Sequence, residues 1–405
     1  MNQHPRPLQD TLVVRTYLHV PIWLLALVTF SGTLAMHIFV PALPIAALDL
    51  GASTSEMQMT VSLYIFGLAV GQLIYGPLSD RFGRRPALMG GLVLYTLAGL
   101  AALFAPNAHA LIAARLFQAL GGCAGLVIGR AIVRDTSDPN DTAKRLAVMN
   151  LMVTVGPGAA PIIGGLLATS FGWRSIFIVL CGLGIANFLL TWRLIPETGK
   201  PGADTSVATL GRNCLELLRS KAFLGFAIGG GCATTSMYAF IASAPFIFGR
   251  DLGRPAQETG IYLALLIGGV WLGSMMASRM IGKVPMAKLL ILSNLASIAA
   301  ALVFLAAVLS GHLSVWLTVS SMVVLTIGVG IASPTALTRA VSINPAVVGS
   351  ASGLYGFTQM AVGAICTALA GFGRDPALSA AIVLVGAGVL AQCCFWMALR
   401  QPRSV

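Results

Sequence analysis

Apolar runs of about 20 residues recur along the whole chain, and they restrict its fold more than any other feature. A helix needs about 20 apolar residues to cross the hydrocarbon core of a bilayer, where every backbone polar group must be bonded internally. Twelve such runs are present, so the sequence predicts an all-α membrane protein with twelve transmembrane helices. The predicted spans are Ile22–Pro44, Met57–Leu78, Pro86–Ala105, Ala110–Val133, Leu146–Ser170, Ile176–Ile195, Ala222–Phe248, Ile261–Met280, Leu289–Ser310, Leu313–Ala336, Val347–Phe372 and Ala377–Leu399.

The composition excludes most classes of soluble enzyme. Only 9% of the residues are charged, against about a quarter in soluble proteins, and 57% are apolar. The sequence has no Ser/His/Asp set, metal-spaced histidine pair or paired intramembrane carboxylates, so we predict that the chain is not an enzyme. It also has no phosphate-binding Gly-x-x-x-x-Gly-Lys-Ser/Thr loop, and we predict no ATP-driven step, cofactor or metal.

The net charge of +12 follows from membrane topology. Lys and Arg concentrate at the N-terminus, in the loops after even-numbered spans and at the C-terminus. Because basic loops stay in the cytoplasm, both termini are predicted to be cytoplasmic. This topology accounts for the charge without a nucleic-acid partner. The predicted partners are the lipid bilayer, protons and a small-molecule substrate, and we expect the protein to function as a monomer in a bacterial-type inner membrane.

One long connection, 196–221, divides the spans into two groups of six. The sequence therefore predicts an N-terminal bundle over 1–195, a cytoplasmic linker over 196–221 and a C-terminal bundle over 222–405. Two six-helix halves are typical of transporters with a site between the halves near the membrane midplane. The linker is either a solvated segment or a short amphipathic helix on the inner leaflet, with four apolar side chains at helical spacing: Leu210, Cys214, Leu217 and Leu218.

The turn after the second span carries the most specific motif, GPLSDRFGRR over Gly76–Arg85, with a weaker counterpart, GSMMASRMIGK, after the eighth span. The first motif resembles the signature of the major facilitator superfamily between its second and third helices. The length of the chain and the six-plus-six layout resemble that family as well. The resemblance implies two pseudo-symmetric six-helix bundles, the major facilitator fold.

By this resemblance the motif forms a conformational latch that closes the cytoplasmic side. Asp80 is expected at the positive N-terminus of the eleventh helix, near Gly349 and Ser350, while Arg84 pairs with Asp135. The alternative is a basic loop that only fixes topology. The predicted latch residues are Asp80, Arg84, Asp135, Gly76 and Gly83.

The fifth span resembles the antiporter signature of the drug-efflux branches, and its Ala160-Pro161 pair resembles the Bcr/CflA drug-resistance subfamily. Segments 40–44, 115–121, 243–246 and 349–353 agree with the same subfamily. Proline interrupts the backbone hydrogen bonds and glycine permits close contact, so this helix can act as a deformable gate. The predicted gate residues are Gly156, Pro157, Pro161, Gly164 and Gly165.

Two ionisable residues within the spans are candidates for proton coupling, Arg115 and His37. By the resemblance Arg115 takes part in proton coupling or substrate contact; the alternative is a side chain that reaches to the outer interface. His37 stands four residues before Pro41, where Bcr/CflA relatives usually have an aspartate, and no predicted span contains an interior carboxylate. With an unperturbed pKa of about 6.5, His37 either carries the proton and, once protonated, attracts an anionic substrate, or stays neutral and only forms a hydrogen bond.

Helix position alone suggests which residues line a substrate pocket. Aromatic rings, methionine and a few amides suit a bulky, mostly apolar molecule, although such residues also occur in packed cores. The predicted pocket residues are Met36, Phe39, Tyr64, Gln118, Asn150, Tyr238, Phe240, Phe246 and Gln359.

The sequence as a whole predicts a secondary active transporter that exports a small organic compound by proton antiport. The resemblance implies a drug or similar amphiphile as the substrate. Export of a self-made metabolite such as a siderophore is an alternative, because His37 departs from the subfamily pattern. A proton-coupled importer is a further alternative, which the antiporter-like fifth span disfavours.

Overall fold

The computed structural model describes residues 20–199, 207–344 and 347–400. The described elements of the first half are α-helices joined by short turns. They are α1 (Ile22–Ile38), α2 (Leu43–Leu50), α3 (Thr54–Phe82), α4 (Arg84–Leu103), α5 (Ala108–Thr136), α6 (Pro139–Phe171) and α7 (Arg174–Leu194). Pro41 cannot donate a backbone hydrogen bond, so the first span is not one continuous helix but breaks at a 3₁₀ turn, Val40–Ala42, between α1 and α2.

The second half repeats this pattern after one connecting helix, α8 (Val207–Arg219). Its helices are α9 (Lys221–Thr235), α10 (Met237–Phe246), α11 (Ala256–Met280), α12 (Met286–Leu309), α13 (Val315–Val341), α14 (Val348–Gly371) and α15 (Pro376–Leu399). The first span of this half consists of α9 and α10 and ends in a π-helical segment, Ile247–Asp251. Each of the other five helices forms one span.

The predicted all-α membrane fold is confirmed. Within the described residues, 11 segments are long and apolar enough to cross a membrane, and α6 ends in a shorter apolar segment, Val155–Phe171. Several helices extend beyond their predicted ends because polar residues cap them. At α3, Ser53 accepts a hydrogen bond from the Glu56 backbone and the Glu56 carboxylate accepts one from the Ser53 backbone, which satisfies the first turn.

One apolar core runs through the first half and into the second, a smaller core lies within the second half, and the two halves meet mainly along two helix pairs. In the first half α5 packs against α1, α3 and α4, and α6 packs against α1; in the second, α13 packs against α11 and α12, and α9 against α15. Between the halves, α3 packs against α14 and α6 against α11. A cavity or site between the halves would therefore be bounded by these two pairs.

The connecting segment contains an amphipathic helix rather than only a solvated chain. In α8, Leu217 is buried beside Phe223, while Leu215 and Leu218 are exposed. Burial raises the pKa of the Cys214 thiol, which lies on the same helix. Residues 200–206 and the predicted apolar position Leu210 lie outside the residues described in full, and the contact of α8 with the inner leaflet stays a prediction, as do the domain boundaries.

Candidate functional site

The break in the first span places His37 in the last turn of α1, on the side that meets the second half. His37 is 3% exposed, and its ring lies 6.0 Å from the ring of Tyr238 on α10, measured between centroids. Its Nδ1 atom lies 3.0 Å from the carbonyl oxygen of Thr33. A carbonyl only accepts, so Nδ1 carries the hydrogen in this bond and Nε2 of the neutral ring holds the lone pair. Nε2 is buried and has no hydrogen-bond partner.

Arg115 on α5 is fully buried inside the first half rather than extended to the outer interface. Its guanidinium donates hydrogen bonds of 2.7 Å to Gln118 Oε1 and 2.9 Å to the carbonyl oxygen of Ala35, two residues before His37. It also lies 4.1 Å from the centre of the Tyr64 ring, a contact worth about 2 kcal/mol when water is excluded. Among the described residues, no carboxylate lies within salt-bridge distance of Arg115.

Several predicted pocket residues of the first half are packed in its core. Phe39 packs against Trp173 and Phe177, and the Tyr64 hydroxyl donates a 2.8 Å hydrogen bond to a backbone carbonyl of α1. Gln118 is fully buried next to Arg115, and Met36 is buried as well. The side chain of Asn150 lies outside the described residues. In this conformation the rings of Phe39, Tyr64 and Phe177 therefore pack around the Arg115 guanidinium.

In the second half, Tyr238 and Gln359 are half-buried, whereas Phe240 and Phe246 are buried. Phe240 packs edge-on against Phe248 and Phe304 within the second half. Gln359 donates a 2.7 Å hydrogen bond to Thr234, which joins α14 to α9. Tyr238 is the predicted pocket residue of the second half whose ring lies beside that of His37, at 6.0 Å between centroids.

The turn between α3 and α4 holds a compact ionic cluster at the end of the bundle that we call the basic end. Gly83 has φ of +100°, a conformation that favours glycine, and lets α4 begin at the next residue. The Arg84 side chain bonds Asp80, Ser79 at 2.7 Å and Asp135 at 3.0 Å. The expected pairing of Arg84 with Asp135 is therefore present, and Arg84 links the ends of α3 and α5.

The expected contact between Asp80 and the start of α14 is not made. Within the described residues, Asp80 bonds to Arg84 on its own side, and no hydrogen bond joins it to Gly349 or Ser350. Methyl groups added at Gly76 on α3 and at Gly349 on α14 would meet no other atom within 4 Å. In this conformation the Asp80 carboxylate is instead held by Arg84 within the first half.

Glu197, which the sequence reasoning missed, completes this cluster. Its carboxylate accepts hydrogen bonds from the backbone N–H groups of Arg84, at 2.8 Å, and Arg85, at 3.2 Å. A carboxylate at a helix N-terminus satisfies unpaired backbone donors and interacts favourably with the helix dipole. Glu197 therefore caps α4 and ties the end of the first half to the turn. A polar stretch, Pro196–Gly199, directly after an apolar span was the only sequence signal.

The predicted gate residues place α6 between the two halves. Gly156 and Gly164 face α1, where a side chain at Gly164 would overlap the carbonyl oxygen of Ile38. Gly165 faces α11, and a methyl group there would lie 2.7 Å from the carbonyl oxygen of Ala256. Pro161 meets α11 through its carbonyl oxygen, and Pro157 lies inside the helix between these contacts. The small residues thus let α6 contact α1 and α11 at once.

Hydrogen bonds between the halves lie toward the opposite end of the bundle, which carries the α2–α3 turn. Gln58 bonds Ser243 at 2.9 Å, and Gln257 bonds Thr169 at 2.9 Å. Nearer the basic end, the described contact weakens to a 3.5 Å bond from Gln72 to the carbonyl oxygen of Gly356. The described hydrogen bonds between α3 and the second half are therefore shorter toward the opposite end than toward the basic end.

The described residues contain no group of three or more His, Cys, Asp or Glu side chains that could hold a metal ion. The groups that can do chemistry near the boundary are instead the basic Nε2 atom of His37 and the guanidinium of Arg115. This set can bind a proton or form hydrogen bonds, and it provides no nucleophile with an adjacent base.

Comparison with known proteins supports a transporter. An uncharacterised MFS-type transporter, YdgK, of Bacillus subtilis (strain 168) is 30% identical over 383 residues, covering 92% of this chain and 94% of the relative. The bicyclomycin resistance protein homolog of Haemophilus influenzae is 27% identical, with 85% and 87% covered. Multidrug resistance protein D of Escherichia coli (strain K12) is 30% identical, with 83% and 84% covered. The predicted resemblance to the Bcr/CflA subfamily is confirmed by these relatives.

A solved bacterial homologue of the human lysosomal transporter Spinster, in an inward-facing and unoccupied conformation, has the same fold. It aligns with a TM-score of 0.74 at 17% identity over 94% of this chain and 96% of that one. The family model described as Major Facilitator Superfamily matches residues 25–367. The chain is therefore a multi-pass membrane transporter and not an enzyme, and it belongs to the Major Facilitator Superfamily.

Proposed function

We propose that this protein exports a small organic compound from the cell in exchange for protons. The observation that carries the proposal is the position of α6, whose antiporter-like glycines and prolines contact α1 on one side and α11 on the other. Relatives named for bicyclomycin and multidrug resistance support a drug or similar amphiphile as the substrate class.

The conformation supports alternating access. We assign the basic end to the cytoplasm of a bacterial inner membrane because Arg81, Arg84 and Arg85 cluster there, and both termini lie on that side in this assignment. In this proposal the site opens to the cytoplasm while the hydrogen bonds between the halves hold the opposite end together, as export requires. Residues 1–195 and 222–405 are the two bundles that rock about it, and one chain is sufficient.

We assign proton coupling to His37 with Arg115 as its fixed neighbour. The Nε2 atom of His37 is the free basic group at the boundary, and among the described residues the acidic side chains lie near the helix ends or in the connections. A proton moving down about 100 mV supplies about 2.3 kcal/mol, and one pH unit adds about 1.36 kcal/mol. Together they are sufficient to drive export of an uncharged solute against a gradient of several hundred-fold.

Everted membrane vesicles test the proposal. Vesicles that contain the protein should accumulate labelled chloramphenicol or bicyclomycin when their interior is acidified, and a protonophore should abolish the accumulation. Vesicles without the protein are the control. Comparative metabolomics of the culture medium, with and without the gene, extends the test to self-made metabolites. Movement that is unchanged by the protonophore contradicts antiport, and loss of accumulation in cells without the gene identifies an importer.

A further inference from the structure

A cavity of about 350 Å³ lies in the second half, at the end of the bundle opposite the basic end. Three connections meet around it: the π-helical segment Ile247–Asp251, the turn between α12 and α13, and the turn between α14 and α15. π-Helical segments are rare and occur frequently at functional sites. The charged residues that line the cavity are Arg250, Arg374, Asp251 and Asp375, and apolar side chains of α12 and its following turn complete the wall.

The two arginines of this cavity differ from the other basic residues at the same end. Basic residues are rare on the outer side of membrane proteins, and the connections at this end carry Arg174, Arg250, Arg254 and Arg374. Arg174 forms an ion pair with Asp49, and Arg254 forms one with Glu258 at 3.8 Å. Within the described residues, neither Arg250 nor Arg374 has a carboxylate within salt-bridge distance. The two arginines without an ion pair at this end therefore line one cavity.

The two aspartates of the cavity have different surroundings. The Asp375 carboxylate caps α15, where it accepts hydrogen bonds from the backbone N–H groups of Ala377, at 2.9 Å, and Leu378, at 3.1 Å. Asp251 ends the π-helical segment, and in the part of the chain that the structure describes its carboxylate has no ion-pair partner. Because Asp251 lies close enough to Asp375 for the two carboxylates to repel each other, a cationic group beside Asp251 is favourable.

Exposed aromatic residues indicate how deep the cavity lies in the bilayer. Trp316, three residues after the cavity residue Leu313, is 84% exposed, and Phe372, two residues before Arg374, is 76% exposed. An exposed tryptophan is typical of the boundary between the hydrocarbon core and the headgroups, and an exposed phenylalanine is favourable where lipid covers it. The charged side chains of the cavity therefore lie at the depth of the outer headgroups.

We propose that this cavity binds a phosphoethanolamine group, with its phosphate at Arg250 and Arg374 and its ammonium group at Asp251. Arginine forms paired hydrogen bonds with phosphate oxygens, so two arginines suit a phosphate. An anion alone would leave Asp251 without a partner, and a cation alone would be repelled by both arginines. The group belongs to a phospholipid of the outer leaflet or to a soluble zwitterion, and the depth of the cavity favours the lipid. The proposal does not depend on what the protein transports.

Native mass spectrometry of the purified full-length protein in detergent tests this assignment. The probes are phosphatidylethanolamine and phosphatidylglycerol with identical acyl chains, added to protein from which bound lipid has been removed. Phosphatidylethanolamine should bind about five-fold more tightly, the equivalent of about 1 kcal/mol for a partly exposed ion pair, because its headgroup carries a cation for Asp251.

An excess of O-phosphoethanolamine as competitor distinguishes the two sources of the group. Displacement of the lipid identifies a soluble zwitterion as a sufficient ligand, and retention of the lipid identifies the phospholipid itself. Either result agrees with the proposal as long as phosphatidylethanolamine is preferred.

Variants identify the side chains responsible. Arg250→Gln and Arg374→Gln should each weaken the binding of phosphatidylethanolamine about five-fold, since each removes one partner of the phosphate. Asp251→Asn should remove the preference over phosphatidylglycerol. Arg254→Gln is the matched control because Arg254 is exposed in the same connection but pairs with Glu258, and it should bind as the unmodified protein does. All four replaced side chains are exposed, so the variants are expected to fold.

The proposal is overturned if phosphatidylethanolamine does not bind, or if phosphatidylglycerol binds the unmodified protein as tightly. Unchanged binding in both Arg250→Gln and Arg374→Gln also overturns it, as does a preference that survives in Asp251→Asn. An equal loss of binding in Arg254→Gln would show that only the total charge of this end matters, which contradicts a site in the cavity. These results are independent of the vesicle assay, because binding is measured without a gradient or a transported solute.

Discussion

The backbone N–H of Arg84, at the start of α4, donates a 2.8 Å hydrogen bond to the carboxylate of Glu197, which follows α7 in the sequence. The same Arg84 bonds Asp80 and Asp135 through its side chain. One residue therefore connects the ends of α3 and α5 and the segment after α7. A movement of the first half at the basic end has to carry these elements together or break one of these bonds.

Glu197→Ala should destabilise the protein by about 1 kcal/mol, because the first turn of α4 loses its cap. Transport should slow several-fold, since the α3–α4 turn is no longer tied to the end of α7. The measurements are the thermal unfolding midpoint and the initial transport rate. Glu216→Ala is the control, because Glu216 bonds Asn344 on the surface. Equal effects of the two substitutions would show that Glu197 has no special role.

Asp80→Asn should slow turnover without changing which substrates are accepted. The ion pair with Arg84 is partly exposed, so its own contribution to stability is at most about 1 kcal/mol, and the effect should appear in the rate. Asp135→Asn should act on the same bonds, and the double substitution should slow transport by less than the product of the single effects.

Asp141→Asn provides the matched comparison for this cluster, because Asp141 forms an ion pair with Arg145 four residues away, outside the α3–α4 turn. Rates and substrate profiles are measured in the same vesicles for all four variants. An altered substrate profile in Asp80→Asn would contradict the latch interpretation, as would independent effects of Asp80→Asn and Asp135→Asn.

The spans could be predicted because hydropathy and capping are local properties. The apolar run and the Ser53-Glu56 box are both visible in the sequence, and they define α3 to within a few residues. Glu197 could not be found in the same way, because its partners are backbone groups more than 100 residues away. Capping across such a distance depends on how the ends of α4 and α7 meet in the folded bundle.

The orientation of side chains within the spans was the least predictable property. A transmembrane helix is apolar on all faces, so periodicity does not indicate which face meets lipid, the core of its half or the boundary. Phe39 and Tyr64 were candidates for the pocket from their positions, yet they pack around Arg115. The departure at His37, in contrast, was visible in the sequence because one residue type replaced another within a motif.

Gly165→Ala should weaken the contact between the halves at the end opposite the basic end. The added methyl group would lie 2.7 Å from the Ala256 carbonyl oxygen, so α6 and α11 must move apart there. The assay is cross-linking between Thr169→Cys and Gln257→Cys, whose native side chains are in hydrogen-bond contact, with the exposed Cys393 replaced by serine. The yield of this cross-link should fall several-fold in Gly165→Ala. Gly182→Ala is the control, since a methyl group there meets no atom within 4 Å. Unchanged cross-linking would exclude α6 as a gate at this position.

His37→Asn should abolish pH-driven efflux while substrate binding stays measurable. Asparagine keeps a polar side chain of similar reach but has no group that binds a proton near neutral pH, so binding and coupling are separated. Accumulation in everted vesicles, which reports export, is measured between about pH 6 and about pH 8 with and without a protonophore, and binding is measured on the purified variant. His109→Asn, at the exposed start of α5, controls for the loss of a histidine as such. Equal pH-driven efflux by His37→Asn and the unmodified protein would mean that the proton binds at some other group. The described span interiors hold no carboxylate that could take over this role, so Arg115 and its tyrosine neighbours would be the next residues to replace.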